Sequence, residues 1–366
     1  MVIHTIQRRW HFLPIAKARG LRAEKLMNYI IKDENALFYE CGYSCDNAIF
    51  LKLGSDSFFI TDGRYTIDAK ENIKNARVIQ SQNLIQETRI LIRKANIKKL
   101  YYDPKEWSSC EFNLLKDKLN RVSFFAKVDF SKLKRAIKSD NEIKIIKKAV
   151  KLGRDGFKKF AKYLKNSGEL KSEKFLQYKL KSILASFGEL DLSFEPILAI
   201  NENSAKPHAI ASKRVLQNGD LLLVDAGIKY KRYCSDRTRT SLFNNKITFK
   251  ERQKFSNKKR QKIYDTVLKA HDKAIIKAKS GVMASEIDKI ARDVIDKAGF
   301  AKFFVHSTGH GVGLNIHEYP FISAKSDMLI EDNMVFTIEP GIYIPNEFGV
   351  RIEDMVVMKN GVAKVL

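Results

Sequence analysis

Residues 306–320 read HSTGHGVGLNIHEYP. Three histidines, His306, His310 and His317, fall within this segment together with three glycines, and Glu318 is its first acidic or basic residue apart from them. Glycine lacks a Cβ atom, so its backbone can approach a ligand closely. A core role for one histidine would not explain three imidazoles on such a backbone. We therefore interpret the segment as part of a catalytic or binding site.

Acidic residues occupy matching places in two predicted hairpins. The apolar run 221–224 predicts a buried strand, and the same pattern of strand, turn and strand returns near the C-terminal end. Each acid of the second hairpin follows its counterpart in the first by 114 or 117 positions. The hairpins and their acids are residues 221–243 with Asp225 and Asp236, and residues 335–358 with Glu339 and Glu353.

A pair of helices is predicted before each hairpin. Ser139 and Glu142 form a capping box, and apolar residues at helical intervals extend that helix to Leu164. The other three helices are predicted over residues 172–187, 254–279 and 285–298. His271 lies in the middle of the 254–279 helix, away from the other candidate histidines, and we expect it on the helix surface. The second pair repeats the first at an offset of 113 positions. We interpret this as an internal duplication, two structurally similar halves of about 115 residues each.

If the two halves pack against each other, the four carboxylates converge. Burial opposes the charged form of an acid, and like charges repel. Two divalent cations would balance this charge, and oxygen ligands with one imidazole suit Mn²⁺, Co²⁺ or Zn²⁺. Any one of these acids could equally be a structural ion pair. Four of them at matching positions predict a dinuclear metal site.

The region before residue 134 lacks the repeat. Residues 36–39, 48–53 and 57–61 are predicted strands, and Asp62-Gly63 is a predicted turn. We expect an α/β domain over residues 1–133 and a catalytic domain over residues 134–366. Together they give an α+β protein with a smaller α/β domain in front.

Composition narrows the functional classes. The chain has 366 residues, 44% of them hydrophobic, and a formal net charge of +25. No apolar run approaches the roughly 20 residues of a membrane-spanning helix, and the four cysteines lack the spacing of a zinc site or a disulfide framework. We expect a cytoplasmic protein with no membrane partner. The lysines are spread over helices such as 144–151, so we interpret the charge as solvated helix faces and do not expect a nucleic-acid partner.

Five segments together resemble the proline-specific metallopeptidases, the family of aminopeptidase P, prolidase and creatinase. The residue 306–318 segment looks like the signature of that family, and a weaker similarity covers residues 47–65, which include TDGRY at 61–65. The resemblance implies a pita-bread catalytic domain of two pseudo-symmetric halves, preceded by a creatinase-like N-terminal domain. The other four segments are VDAG at 224–227, SDRTRT at 235–240, TIEPG at 337–341 and GVRIED at 349–354.

The resemblance also implies a role for each candidate residue. Two divalent metals, with Mn²⁺ expected and Co²⁺ or Zn²⁺ as alternatives, would activate a water molecule and polarise the scissile carbonyl. Glu339 would also shuttle a proton, His208 and His317 would act on the substrate carbonyl, and His306 would shape the proline pocket. Arg351 would bind a substrate carboxylate or orient a neighbouring ligand. The implied metal ligands are Asp225, Asp236, Glu353, which with Asp236 bridges both metals, His310 and Glu339.

The first functional prediction is an Xaa-Pro aminopeptidase, which releases an N-terminal residue that precedes proline. The alternative within the family is an Xaa-Pro dipeptidase, or prolidase, and a second alternative is a non-catalytic binding protein on the same fold. The resemblance implies a homodimer. Cys41 and Cys45 are expected to be buried, unpaired thiols.

Overall fold

The computed structural model describes residues 28–366. The chain divides into two compact units, with the division between Ser131 and Lys132. Within the described range, no helix is both long and apolar enough to cross a membrane.

The first unit is built on a six-stranded mixed sheet with the strand order β4-β3-β2-β1-β5-β6. Alternate residues of β2 enter two separate apolar clusters, Phe50 in one and Ile49 and Leu51 in the other, so both faces of the sheet are covered. Its elements are β1 (Tyr29–Ile31), α1 (Glu34–Cys41), β2 (Ala48–Leu53), β3 (Asp56–Thr61), α2 (Thr66–Asn72), β4 (Arg77–Gln80), α3 (Leu84–Lys94), β5 (Lys99–Tyr102), α4 (Ser109–Lys116), β6 (Ser123–Ala126) and α5 (Phe130–Lys134), which crosses the division.

One strand prediction in this unit is wrong. Residues 36–39 lie in helix α1, because the Asp33 side chain accepts a hydrogen bond from Ala36 N at 2.9 Å and caps the helix. The helix ends at Gly42, whose φ of 77° favours glycine. The four consecutive apolar or aromatic residues at 36–39 were interpreted as a strand because the helix cap at Asp33 was not recognised in the sequence. The predicted strands at 48–53 and 57–61 are confirmed as β2 and β3.

The second unit contains two helix pairs and several small sheets. The capping box at Ser139 is present, and the predicted 172–187 helix ends earlier because Phe187 has a left-handed φ of 62°. Its elements are α6 (Asp140–Ser167), α7 (Glu173–Leu184), β7 (Asp191–Leu192), β8 (Ile197–Ile200), β9 (Leu221–Asp225), β10 (Ile228–Tyr230), β11 (Tyr233–Cys234), β12 (Thr238–Leu242), α8 (Lys258–Lys277), α9 (Ala284–Lys297), β13 (Gly309–Gly311), β14 (Glu318–Ile322), β15 (Val335–Ile338), β16 (Gly341–Ile344), β17 (Phe348–Arg351), β18 (Asp354–Lys359) and β19 (Val362–Val365).

The two halves of this unit follow the same plan. In the first, β9 pairs with β12 and encloses the shorter β10–β11 hairpin; in the second, β15 pairs with β18 and encloses β16–β17. Helices α6 and α7 pack on the first half and α8 and α9 on the second, each pair with its own apolar core. The predicted pita-bread arrangement of two pseudo-symmetric halves is therefore confirmed.

The long ladders open where the acidic residues lie. Asp225 ends β9, and Asp236 precedes β12 by two residues. Glu339 follows β15 directly, and Glu353 directly precedes β18. At these positions the strands leave their ladder partners for the inner hairpins, and side chains of the two halves meet there: Thr238 Oγ1 donates to Glu353 Oε2, and Arg351 Nη2 donates to Asp225 Oδ2.

Candidate metal centre

Side chains from both halves meet at one buried point. Ligand atoms of Asp236, His310 and Glu353 all lie within 4.8 Å of one another. His310 Nε2 lies 3.7 Å from Asp236 Oδ2 and 3.5 Å from Glu339 Oε1. Arg351 Nη2 donates to Asp225 Oδ2 at 2.5 Å. The structure thus brings together all five predicted ligands, with one guanidinium among them.

Two carboxylate oxygens in this cluster have no hydrogen-bond partner within residues 28–366. They are Asp225 Oδ1 and Asp236 Oδ1, and both are buried. A buried acceptor without a partner is costly, and it is rare in native proteins. Oxygen donors next to one imidazole are the ligands that a divalent cation such as Mn²⁺ prefers. The residues therefore fit the predicted metals.

The acids repel one another in the absence of a cation. Burial raises the pKa of Asp236 well above its ordinary value, and the nearby charges of Glu353 and Asp225 raise it further. Burial likewise raises the pKa of Glu353, and it raises that of Glu339 to about 7, although Arg351 opposes the second shift. Without a cation, some of these carboxyl groups must stay protonated at neutral pH.

His310 is held as a neutral imidazole. Its Nδ1 lies 3.1 Å from the Gly311 carbonyl oxygen, which only accepts, so Nδ1 carries the hydrogen and Nε2 presents its lone pair to the carboxylates. Burial and the nearby His317 lower the pKa of His310 to about 3. Strand β13 has no room for a side chain at position 309, because a Cβ atom on Gly309 would lie 2.0 Å from the Thr337 carbonyl oxygen.

The other predicted histidines lie around this cluster. The rings of His310 and His317 are 4.2 Å apart. His306 donates from Nδ1 to the Ser307 carbonyl and accepts at Nε2 from the Tyr343 hydroxyl, each at 2.8 Å. Burial lowers the pKa of His306 to about 4. His208 is exposed, and its charge contributes to lowering the pKa of both His306 and His317.

The guanidinium group of Arg351 is hydrogen-bonded to other residues of the protein. Four of its five N–H groups donate, to the Thr238 hydroxyl, the Pro207 carbonyl, the Tyr343 hydroxyl and Asp225. Of the two predicted roles for Arg351, these contacts support the orientation of a metal ligand rather than the binding of a substrate carboxylate.

Comparison with known proteins identifies the family. The family model described as metallopeptidase family M24 matches residues 144–360. An Xaa-Pro dipeptidase from Pyrococcus horikoshii is 39% identical over 248 residues, which are 68% of this chain and 67% of that protein. The chain belongs to metallopeptidase family M24. It is therefore a hydrolase, as the five sequence motifs predict.

Solved structures of M24 peptidases share the fold. A structure described as an Xaa-Pro dipeptidase from Bacillus anthracis superimposes with a TM-score of 0.84 at 30% identity, covering 95% of this chain and 94% of that one. An X-Pro aminopeptidase from Thermotoga maritima gives 0.82 at 28% identity, covering 95% and 97%. The named relatives thus act on Xaa-Pro peptides, and dipeptidases are prominent among them.

Two residues near these candidates, Tyr343 and His271, were not predicted from the sequence to contribute here. Tyr343 links His306 to Arg351, but it reads as an ordinary apolar position of strand β16. His271 was expected on a helix surface as the outlier among the histidines; it is buried, and its Nε2 lies 3.4 Å from Asp354 Oδ2. The pattern contained the signal, since His271 shares the helical stripe of Val267 and Ala274.

Proposed function

We propose that this M24 peptidase is an Xaa-Pro dipeptidase that uses two divalent metal ions. The observation that carries the proposal is the buried cluster of four carboxylates and one imidazole, in which two carboxylate oxygens have no hydrogen-bond partner among the described residues. The sequence analysis ranked an aminopeptidase first. The names of the relatives favour the dipeptidase, which was its alternative.

The proposed ligands divide between the halves. Asp225 and Asp236 come from the first hairpin, and Glu339 and Glu353 from the second. His310 comes from strand β13. We propose Mn²⁺ as the native metal, with Co²⁺ and Zn²⁺ as alternatives. The chemistry supplied by two such cations is a water molecule of lowered pKa and a polarised carbonyl.

The chain's own residues would do the rest. In the described part of the chain, the contacts of Glu339 Oε1 are long, with Thr337 Oγ1 and His310 Nε2 each 3.5 Å away. This carboxylate would therefore be free to take a proton from the attacking water and pass it to the leaving nitrogen. His317 and His208 would donate to the carbonyl oxygen as negative charge develops there. His306, fixed by Tyr343, would form a wall of the proline pocket.

A site of this kind suits prolyl substrates. The nitrogen of an Xaa-Pro bond carries no hydrogen, so a peptidase that holds its substrate through that N–H loses a contact. A site that acts through metal ions and packs against the ring does not need it.

The decisive experiment compares the hydrolysis of Ala-Pro and Ala-Pro-Ala by one Mn²⁺-loaded preparation, with a chelated sample as control. The proposal expects cleavage of the dipeptide, little cleavage of the tripeptide and no activity after chelation. Release of alanine from the tripeptide at a comparable rate would make the enzyme an aminopeptidase. Inactivity on both, despite bound metal, would favour a binding protein.

We also propose a homodimer in the cytoplasm. All four cysteines are free, three of them buried, as suits a reducing compartment. Light scattering during gel filtration would give the mass, and a value matching one 42.0 kDa chain would reject the dimer.

A further inference from the structure

A buried arginine outside the ligand set joins the two halves beside the proposed metal ligand Glu353. Arg239 lies on strand β12 and is 2% exposed. Its Nη1 donates to the Glu353 carbonyl oxygen at 2.6 Å and to the Thr238 carbonyl oxygen at 2.9 Å. A single nitrogen therefore connects the backbone of both hairpins at the place where the ladders open.

Asp354 holds the other side of the same guanidinium. Arg239 Nη2 donates to both carboxylate oxygens of Asp354, at 2.8 and 2.7 Å. Although burial alone would raise it, Arg239 and the neighbouring cations hold the pKa of Asp354 below its ordinary value. His271 Nε2, from helix α8, lies 3.4 Å from Asp354 Oδ2, and Arg237 Nη1 lies 3.2 Å from Oδ1.

These contacts fix Glu353 along its length. Its backbone N–H donates to the Thr238 carbonyl at 3.1 Å, its own carbonyl accepts from Arg239, and its Oε2 accepts from the Thr238 hydroxyl at 2.6 Å. The side chain and the backbone of Glu353 are therefore held by separate contacts, and the contact to its carbonyl oxygen comes from Arg239.

We propose that Arg239, held in place by Asp354 with His271 packed behind that carboxylate, is a positioning residue that presets Glu353 for metal binding. The inference rests on the proposed function, because it takes Glu353 as a metal ligand. An arginine is required, because its planar fork serves two backbone carbonyls and one carboxylate at once, whereas a lysine ammonium is a single point of charge. Contacts that orient ligands typically change metal affinity by about 10- to 100-fold.

Arg237 offers a matched control. It lies two residues away on the same segment and contacts the same carboxylate, Asp354. Its described contacts include neither the Thr238 nor the Glu353 carbonyl; it lies over the Phe157 ring instead. Arg237→Lys and Arg239→Lys therefore make the same chemical change, and only the second removes the fork from the ligand backbone.

The test is calorimetric titration of Mn²⁺ into chelator-stripped protein. Arg239→Lys should weaken Mn²⁺ binding by about tenfold or more, and Arg237→Lys should stay close to wild type. Thermal melts of the stripped proteins should show both variants folded. An equal loss in both variants, or wild-type affinity in Arg239→Lys, overturns the proposal.

His271→Asn is the second variant, and it keeps the inference testable if Arg239→Lys does not fold. It removes the imidazole behind Asp354 without touching any proposed ligand, so Mn²⁺ affinity should fall by less than in Arg239→Lys. Unchanged affinity in His271→Asn overturns the part assigned to His271, and with an unfolded Arg239→Lys it overturns the whole proposal.

The outcomes separate this inference from the proposed function. If wild-type protein binds no Mn²⁺, the metal site itself is wrong. If wild type binds two Mn²⁺ and hydrolyses Ala-Pro while Arg239→Lys binds equally well, only the positioning role is wrong.

Discussion

Two buried charged clusters lie in the same unit, and they are built in opposite ways. In one, the Glu318 cluster, Glu318 accepts from Lys138 Nζ at 2.9 Å and from Arg135 Nε at 3.2 Å, and all three side chains are nearly inaccessible to solvent. In the other, four acids lie near one another, the Arg351 guanidinium donates to one of them, Asp225, and two of their oxygens have no hydrogen-bond partner in the part of the chain that the structure describes. This second one, the carboxylate cluster, consists of Asp225, Asp236, Glu339, Glu353 and His310.

The difference shows that burial does not by itself decide the protonation of an acid. Although burial would raise it, Lys138 and Arg135 hold the pKa of Glu318 below its ordinary value. Burial raises the pKa of Asp236, and its neighbours, which are mostly other acids, raise it further instead of opposing the shift. In the Glu318 cluster, protein cations neutralise the carboxylate charge. In the carboxylate cluster, the charge is neutralised only when a metal cation binds.

Two consecutive residues, His317 and Glu318, contact different clusters. His317 packs its ring against His310 of the carboxylate cluster, and the next residue, Glu318, belongs to the ion pairs. Asn315, two residues before His317, fixes the same loop to the Glu318 cluster, since its N–H donates to Glu318 and its side chain accepts from Arg135. Substitutions at the neighbouring positions His317 and Glu318 should therefore have different effects, the first on turnover and the second on the free energy of unfolding.

The largest effect is expected from Asp236→Ala. Losing a ligand of the carboxylate cluster should reduce the bound metal to one ion or none and lower kcat/KM for Ala-Pro by about a thousandfold, roughly 4 kcal/mol of activation free energy. Metal analysis and steady-state kinetics measure both. The exposed Asp265→Ala serves as control, and a variant that keeps two metals and full turnover would remove Asp236 from the ligand set.

Next comes Glu318→Gln, which leaves two buried cations without their carboxylate. The free energy of unfolding should fall by about 3 kcal/mol or more, as is usual when one partner of a buried ion pair is removed. Denaturant titration of the chelated protein measures this loss, with the exposed Glu331→Gln as control. Metal stoichiometry of the folded variant should stay at two, and a drop to one would show that the clusters are not independent.

A smaller loss is expected from His317→Ala. The metal content should be unchanged, while kcat falls by about 100-fold, the usual cost of one donor to a developing oxyanion. The unfolding free energy should stay near that of wild type, in contrast to Glu318→Gln. Loss of metal from His317→Ala would mean that this imidazole is a ligand.

The smallest effect has the opposite sign. In chelated protein, Asp236→Asn should raise the unfolding free energy at pH 8, by about 1.4 kcal/mol for each pKa unit of repulsion removed. The folded pKa of Asp236 is raised, so wild type takes up a proton there as the pH falls and regains stability. The advantage of the variant should therefore shrink towards pH 5. Denaturation at both pH values measures it, and an advantage that grows on acidification contradicts the charge assignment.

Local signals in the sequence predicted much of this molecule. The capping box at Ser139, the helical stripe that follows it and the repeated hairpins led to the two halves of the second unit, because caps and periodicity act over a few residues. The strand predicted at residues 36–39 failed for a local reason too, since Asp33 caps a helix there. The site candidates came from residue type and spacing, together with the family resemblance.

Contacts between distant residues were beyond that reasoning. Arg239 meets the Glu353 carbonyl 114 positions away, and Arg135 meets Glu318 across 183 positions. No periodicity encodes such pairs. The four hydrogen bonds that Arg351 donates distinguish between its two predicted roles, and three of them also join distant segments. So does the contact between His271 and Asp354.

The sequence by itself determined the repeated hairpins and the acids they carry, the histidines that precede each hairpin, and the family, because these depend on residue type and short-range pattern. Only the tertiary structure decided which charges are neutralised within the protein and which oxygens are left unpaired. That distinction depends on distances of 2.5 to 3.7 Å between segments far apart in the chain, and those distances exist only once the halves have packed together.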